Sequence, residues 1–205
     1  MRRPDSQDGT LQAWRQAQRD TLVAARLQVD EVTLRDWRDQ IDRRLQHYFA
    51  DLAIGVIAFC WPIKNEYDAR PLVKRLRERG AVTALPVVVA PRTPLEFRAW
   101  HPGVELARGA LDIPYPKDGN SVVPDTMLVP MNGFDTGGYR LGYGAGFFDR
   151  TLASLPIRPR TIGVAYEIAR LETIRPQPYD IPMDFVVTER ALYQRVNGVL
   201  VVVPS

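Results

Sequence analysis

The sequence predicts an α/β protein: a single domain on an open, mostly parallel sheet flanked by helices on both faces, a Rossmann-like three-layer arrangement. Three observations predict it. Strand, helix and strand patterns follow one another within about 35 residues, the spacing of a βαβ unit. Further short apolar runs bounded by turn residues come after it. The 205 residues carry no internal repeat, low-complexity tract or linker, which fits one domain over 1–205 with its first ten residues expected to be flexible.

Taken in order, residues 11 to about 29 read as a helix, and Thr33 is the expected N-cap of a second helix reaching about Ala50. Leu34, Trp37, Ile41, Leu45 and Tyr48 recur at helical spacing and give that helix its buried face. Residues 54–60 are short, apolar and partly β-branched, a first strand, and a helix pattern follows from about Asp68 to Arg79, ending at Gly80. Residues 82–90 form the next strand, in which Pro86 predicts an edge, a bulge or an early end. Residues 94–101 give another strand pattern, 127–130 and 161–165 read as short central strands, and 184–188 and 199–203 as the last two.

Composition narrows the function classes. A hydrophobic fraction of 45% and a charged fraction of 25% are those of a globular chain with enough apolar material to offset its conformational entropy. The longest apolar runs fall far short of the roughly 20 residues that cross a bilayer. The opening residues are basic with no apolar stretch behind them, so no secretory signal is expected and a cytoplasmic location is. Cys60, the single cysteine, cannot form an intrachain disulfide, and its apolar surroundings predict a packed core thiol rather than a nucleophile. His47 and His101 are the only histidines, which leaves little for a zinc site or a histidine-based triad. The net charge of +3 is small, and charges are interspersed, as over residues 36–44, which favours a solvated helix face over a nucleic-acid stripe. No membrane is expected as a partner, nucleic acid is disfavoured, and no obligate protein partner is implied.

The chemistry concentrates where glycines do. Six of the chain's 14 glycines (Gly133, Gly137, Gly138, Gly142, Gly144 and Gly146) lie within 133–146, between a strand ending at Pro130 and a helix expected to begin near Gly144. Glycine loses more chain entropy on ordering than any other residue, so such clustering serves positive φ angles or close backbone approach. The stretch can aim backbone N–H groups at an anion, or it can be a surface hairpin packed against the sheet. The pattern is neither the dinucleotide fingerprint nor the P-loop. Arg140 and Asp149 at its ends favour phosphate: a guanidinium holds phosphate oxygens directly, and a carboxylate is tolerated there when it ligates magnesium.

Residues 125–152, Asp-Thr-Met-Leu-Val-Pro-Met-Asn-Gly-Phe-Asp-Thr-Gly-Gly-Tyr-Arg-Leu-Gly-Tyr-Gly-Ala-Gly-Phe-Phe-Asp-Arg-Thr-Leu, closely resemble the signature of the 5-formyltetrahydrofolate cyclo-ligases, also called methenyltetrahydrofolate synthetases. The resemblance extends from the first helix to residues 180–184 and is loose over 30–50 and 90–110. It implies ATP and magnesium as cofactors and cyclisation of 5-formyltetrahydrofolate to 5,10-methenyltetrahydrofolate, with release of ADP and phosphate. By this resemblance Arg15 and Arg19 of the first helix contact nucleotide phosphate. Arg26 shares their face, since eleven residues complete about three turns; on spacing alone such a stripe reads as a solvated or salt-bridged face. Arg140, Gly142, Tyr143, Gly144, Ala145, Gly146, Phe147 and Phe148 match the nucleotide-binding loop, with Arg140, Tyr143 and Phe147 in the catalytic positions. Arg19, Trp61, Glu66, Tyr143 and Phe147 match folate-binding positions, Glu66 holding the donor edge of the pterin. A carboxylate suits that task by accepting two parallel hydrogen bonds. Asp149 and Asp180 match magnesium ligands, although Asp180 by itself reads as an Asx-turn residue ahead of Pro182.

Several positions depart from the family pattern: Arg15 stands for a usual lysine, Phe147 and Phe148 for frequent tyrosines, Ala145 for glycine or a basic residue, and Tyr179 for a histidine. None deletes a charge that the reaction needs. They leave open a diverged paralogue that binds nucleotide or folate with little turnover, and the basic pI of about 9.2 leaves open an RNA-binding protein.

Overall fold

The computed structural model describes residues 5–109 and 112–204. The expected flexibility of the first ten residues lies outside the described residues for 1–4; from Asp5 onward the chain is helical, earlier than the apolar pattern indicated. Two helices open the chain, α1 (Asp5–Leu27) and α2 (Glu31–Tyr48). Asp30, not Thr33, caps α2: its backbone is extended and its Oδ1 accepts from the Thr33 amide at 2.9 Å, so Thr33 is the donor of the cap.

The predicted βαβ unit follows as β1 (Val56–Ala58), α3 (Arg70–Glu78) and β2 (Val82–Val87), with β1 and β2 parallel. Next come β3 (Glu96–Trp100), the small hairpin β4 (Leu106–Arg108) with β5 (Pro114–Pro116), and β6 (Thr126–Pro130). A second hairpin, β7 (Gly133–Asp135) with β8 (Arg140–Leu141), leads into α4 (Phe147–Ser154). The chain closes through β9 (Arg160–Val164), β10 (Arg170–Leu171), β11 (Phe185–Val187), β12 (Leu192–Val196) and β13 (Val199–Val202).

The main sheet has the order β13-β12-β11-β9-β6-β1-β2-β3, in which β11, β9, β6, β1 and β2 are parallel and the strands at both ends antiparallel. Pro86 lies in an interior strand rather than at an edge. The Ala84 carbonyl, two residues earlier, accepts from the Phe59 amide just past β1, so Pro86 sits beyond the end of that neighbour and no ladder bond needs its missing N–H.

Strand side chains alternate between faces. Ile57, Phe59, Leu85, Leu128, Ile162 and Val187 join the core that includes Ile41 and Leu45 of α2 and Leu72, Val73 and Leu76 of α3. Ala58, Ala84, Met127, Val129 and Val186 join the opposite core, with Leu152 of α4. This gives the three-layer α/β arrangement that the sequence predicts. The chain leaves β1 toward β2 on one side and returns to β6 on the other, so the order reverses between β1 and β6, where open α/β sheets form a crevice at the carboxyl ends of their strands. Among the described residues no helix is long and apolar enough to cross a membrane.

Candidate functional site

A cleft of about 1450 Å³ opens at that crevice, walled by α1, the segments after β1 and β2, the end of β6, the glycine-rich loop and residues 178–181. Every site residue that the sequence singles out lines it: Arg15, Arg19, Trp61, Glu66, Arg140, Gly142, Tyr143, Gly144, Ala145, Gly146, Phe147, Phe148, Asp149 and Asp180. They come from sequence positions more than 160 residues apart, and α1 reaches them by packing across β7 at Gly133, where a Cβ would stand 2.8 Å from the Leu22 side chain and displace it.

The glycine cluster is not one loop. Gly137 and Gly138 form the β7–β8 turn, which Asp135 ties by accepting from the Gly137 and Tyr139 amides at 2.9 and 3.0 Å, so this half is the packed hairpin. Of the six clustered glycines, Gly142, Gly144 and Gly146 border the cleft. Gly144 and Gly146 take φ of 96° and 65°, and Gly146 caps α4, which starts at Phe147 rather than near Gly144. Gly142 differs: its φ is outside the left-handed region and a Cβ there would meet nothing within 4 Å. Glycine at 142 therefore answers no need internal to the chain. Among the described residues, none accepts a hydrogen bond from the backbone N–H groups of residues 144–149, which include the first turn of α4.

Cations gather around these amides. Arg19 donates from Nε to the Gly142 carbonyl at 2.8 Å and from Nη1 to the Gln16 side chain at 3.3 Å; burial, then Arg15, lowers its pKa. Arg140, 9% exposed, donates to the Ile181 carbonyl at 2.7 Å, pairs with Asp149 at 3.0 Å and lies over the Phe148 ring. Burial pulls the Arg140 pKa down while Asp149 opposes it, so the ion pair keeps a charge in place that desolvation disfavours. Arg150 donates to the Ala145 carbonyl and covers the Phe147 ring, fastening the loop to α4.

The two acidic candidates are used differently. Asp149 spends Oδ1 on Arg140 and on the Ile181 amide at 3.0 Å. Asp180 takes Arg15 on both oxygens, at 3.5 and 2.6 Å, and reaches back to the Gln177 amide at 2.7 Å instead of forming an Asx turn ahead of Pro182. Arg15 also donates to the carbonyls of Ile174 and Arg175, so four of its five N–H donors hold the 174–180 segment and the helix stripe is neither solvated nor idle.

Across the cleft, Glu66 is 8% exposed. Its Oε2 accepts from the Ile63 amide at 3.1 Å and its Oε1 from the Tyr143 hydroxyl at 2.9 Å. Burial raises its pKa, opposed by the Ile63 amide, Arg26, Tyr143 and Lys64. Trp61 is half-buried beneath the Arg70 guanidinium, 4.8 Å from the ring centre. Cys60 is half-buried in the cleft wall rather than sealed in the core, and burial pushes its thiol pKa far up, so it stays protonated and unreactive. Arg26, which the sequence places on the face of Arg15 and Arg19 without a site role, lies behind Glu66 together with Asn132, which no sequence pattern singled out.

Residues 11–189 match the model of the 5-formyltetrahydrofolate cyclo-ligase family. The chain is 31% identical over 162 residues to the 5-formyltetrahydrofolate cyclo-ligase of Escherichia coli strain K12, covering 76% of this chain and 89% of that one. With the Mycolicibacterium smegmatis 5-formyltetrahydrofolate cyclo-ligase it shares 32% over 137 residues, 63% of this chain and 71% of the relative. The NMR structure of Aquifex aeolicus 5,10-methenyltetrahydrofolate synthetase is similar with a TM-score of 0.76 and 28% identity, over 90% of this chain and 94% of that one. A Mycoplasma pneumoniae 5,10-methenyltetrahydrofolate synthetase has the same fold at a TM-score of 0.70 and 21% identity, over 85% and 98%. The chain belongs to the 5-formyltetrahydrofolate cyclo-ligase family.

Proposed function

We propose that this protein closes the imidazoline ring of a reduced folate, converting 5-formyltetrahydrofolate and ATP to 5,10-methenyltetrahydrofolate, ADP and phosphate with magnesium, and that it does so in the cytoplasm. The observation that carries the proposal is one cleft with two unlike halves. On one side stand unpartnered amides with Arg19 and Arg140; on the other a buried carboxylate, Glu66, beside the aromatic Trp61. The first half suits phosphate, since helix N-terminal amides and guanidinium groups both stabilise anions. Gly142 supports it, because glycine there leaves open space for a ligand to approach the backbone. The second half suits a flat heterocycle with two adjacent N–H donors, which a carboxylate accepts in parallel.

In the reaction the formyl oxygen attacks the γ-phosphorus and ADP leaves. The second folate nitrogen then attacks the activated formyl carbon, loses its proton, and phosphate departs with the oxygen. Such chemistry rests on positioning and on neutralising charge, which arginines and backbone amides supply without a histidine. Arg140, held by Ile181 and Asp149, keeps a fixed positive charge at the mouth of the loop. Arg15 holds the 174–180 wall against α1.

The acidic residues fit a magnesium ion in part. Among the described residues no three His, Cys, Asp or Glu side chains come together, and magnesium in nucleotide sites takes one or two carboxylates with substrate phosphates completing its shell. Asp149 is the better ligand, since Arg140 and Ile181 both bind its Oδ1, whereas Asp180 has both oxygens engaged by Arg15. When bound there, the ion would offset phosphate charge. Asn at 149 retains an acceptor for Ile181 but leaves buried Arg140 without its charged partner, so Asp149→Asn is expected to lower the melting temperature as well as to weaken magnesium-dependent ATP binding by about tenfold or more. Calorimetry with ATP and magnesium reads this directly, and unchanged affinity speaks against the metal role.

The function itself is tested by mixing purified protein with ATP, magnesium and 5-formyltetrahydrofolate and following the methenyl absorbance. Growth that requires all three is expected. Calorimetric binding of folate or nucleotide without product would establish the binding paralogue instead.

A further inference from the structure

A group of buried polar contacts that the proposed chemistry does not use lies behind Glu66. Arg26 projects from α1 into it with a side chain only 6% exposed. Its Nε donates to the Lys64 carbonyl at 2.8 Å, and its Nη2 donates to Asn132 Oδ1 at 3.1 Å and to the Tyr143 hydroxyl at 3.4 Å. That hydroxyl in turn donates to Glu66 Oε1 at 2.9 Å, and the guanidinium itself stands 4.0 Å from the same oxygen.

The order of donors in this chain is forced. A guanidinium has only donors, so the Tyr143 oxygen accepts from Arg26 and its single proton points onward to Glu66. The Ile63 amide, likewise only a donor, meets the other oxygen. Both carboxylate oxygens therefore have to accept, which the ionised form does equally well at each, whereas the protonated acid has one good acceptor, its carbonyl oxygen, and a hydroxyl oxygen that accepts poorly and brings a further donor. The geometry points to Arg26 as a positioning residue that, through the Tyr143 hydroxyl and the Lys64 carbonyl, holds Glu66 ionised and aimed into the folate half of the cleft. This rests on the proposed folate reading of Glu66.

Glu66 is faced by Arg26 of α1, Lys64 of its own loop, Tyr143 of the glycine-rich loop and Cys60 at the end of β1, with Tyr67 and Tyr166 sharing a cavity of about 10 Å³ behind it. Of these, Arg26 and Lys64 are the cations, and Lys64 directs its Nζ over the Tyr143 ring, 5.5 Å from its centre. Loss of Arg26 thus removes the cation that the relay depends on. Since burial already raises the Glu66 pKa, its removal moves that pKa further up and leaves more of the acid protonated at neutral pH.

The test is steady-state kinetics at saturating ATP with 5-formyltetrahydrofolate varied, from about pH 6 to pH 8.5, a range above the ordinary glutamate value. Arg26→Gln is expected to raise the folate KM about tenfold at neutral pH, the worth of one charge-assisted hydrogen bond, with the ATP KM within about twofold. The gap from wild type should narrow as pH rises, because alkali ionises Glu66 without help; a merely structural defect would leave it constant. Arg26→Lys should recover part of the loss. Tyr143→Phe, which keeps the ring at the cleft lip and removes the hydroxyl that links Arg26 to Glu66, is the second variant should Arg26→Gln fold poorly, and it should show the same narrowing with pH. A folate KM within twofold of wild type in both variants, or a gap that does not change with pH, overturns the inference. Absence of turnover in the wild type overturns the folate reading on which it rests, a separate result.

Discussion

Arg140→Met is expected to lower kcat/KM for ATP by about a thousandfold, the scale at which single guanidinium groups act on a transferring phosphoryl group. The reason is its setting as much as its charge. It is buried, bonded to the Ile181 carbonyl, paired with Asp149 and stacked on Phe148, so it loses little freedom when it meets an anion. Methionine fills a similar volume but leaves Asp149 without its partner, and removing one member of a buried pair typically costs about 3–5 kcal/mol. Asp149 retains partial exposure and the Ile181 amide, so a loss near the lower end is expected, visible in thermal or denaturant unfolding. Arg140→Lys separates the two effects: it retains a charge near Asp149 and so most of the stability, but not the fork, and should still lose much of the rate. Wild-type turnover by Arg140→Met would remove the loop from the chemistry.

Glu66→Gln is expected to raise the folate KM about a hundredfold, with the ATP KM nearly unchanged. Glutamine presents one acceptor oxygen where the site offers two, and its amide hydrogens would face either the Ile63 amide or the Tyr143 hydroxyl, both already placed as donors. The pH dependence follows in sign. Burial raises the Glu66 pKa, and the ionised form is the one that accepts, so wild-type folate affinity falls as pH drops, beginning above the ordinary carboxylate range. The Glu66→Gln variant has nothing to titrate at that position, and its folate KM should be flat over the same interval. A parallel fall in both proteins would assign the titration to another group.

These residues also mark what the sequence discloses. The βαβ unit and the parallel centre were legible because β1, β2, β6 and β9 are short apolar runs whose side chains are buried on both faces. The cleft was legible through its glycines and flanking charges, and the family resemblance added Arg15, Arg19, Trp61, Glu66 and Asp180, which local pattern alone assigns to helix faces, core or turns. Long-range pairing was not legible. Whether Arg15 points to solvent or into Ile174, Arg175 and Asp180 depends on a contact some 160 residues away in the chain. Arg26 stayed hidden for the same reason. Three local features were also missed. The cap moved to Asp30 because an extended Asp reaches the amide of the residue three ahead, leaving Thr33 to donate. The glycine run divided because Asp135 organises Gly137 and Gly138 into a turn, which composition does not reveal. β12 escaped notice because only two of its five residues, Leu192 and Tyr193, are buried; the Asn197 and Gly198 turn, with φ of 50° and 89°, was the signal for its hairpin with β13.

In the proposed reaction this cleft transfers the γ-phosphoryl group of ATP to the formyl oxygen before the ring closes. Heavy-oxygen label in the formyl group of 5-formyltetrahydrofolate follows that atom through the reaction. The released inorganic phosphate is expected to carry the label, one labelled oxygen for each methenyl product formed. Methenyl product accompanied by unlabelled phosphate, or no methenyl product from protein that is folded and binds ATP, would contradict it.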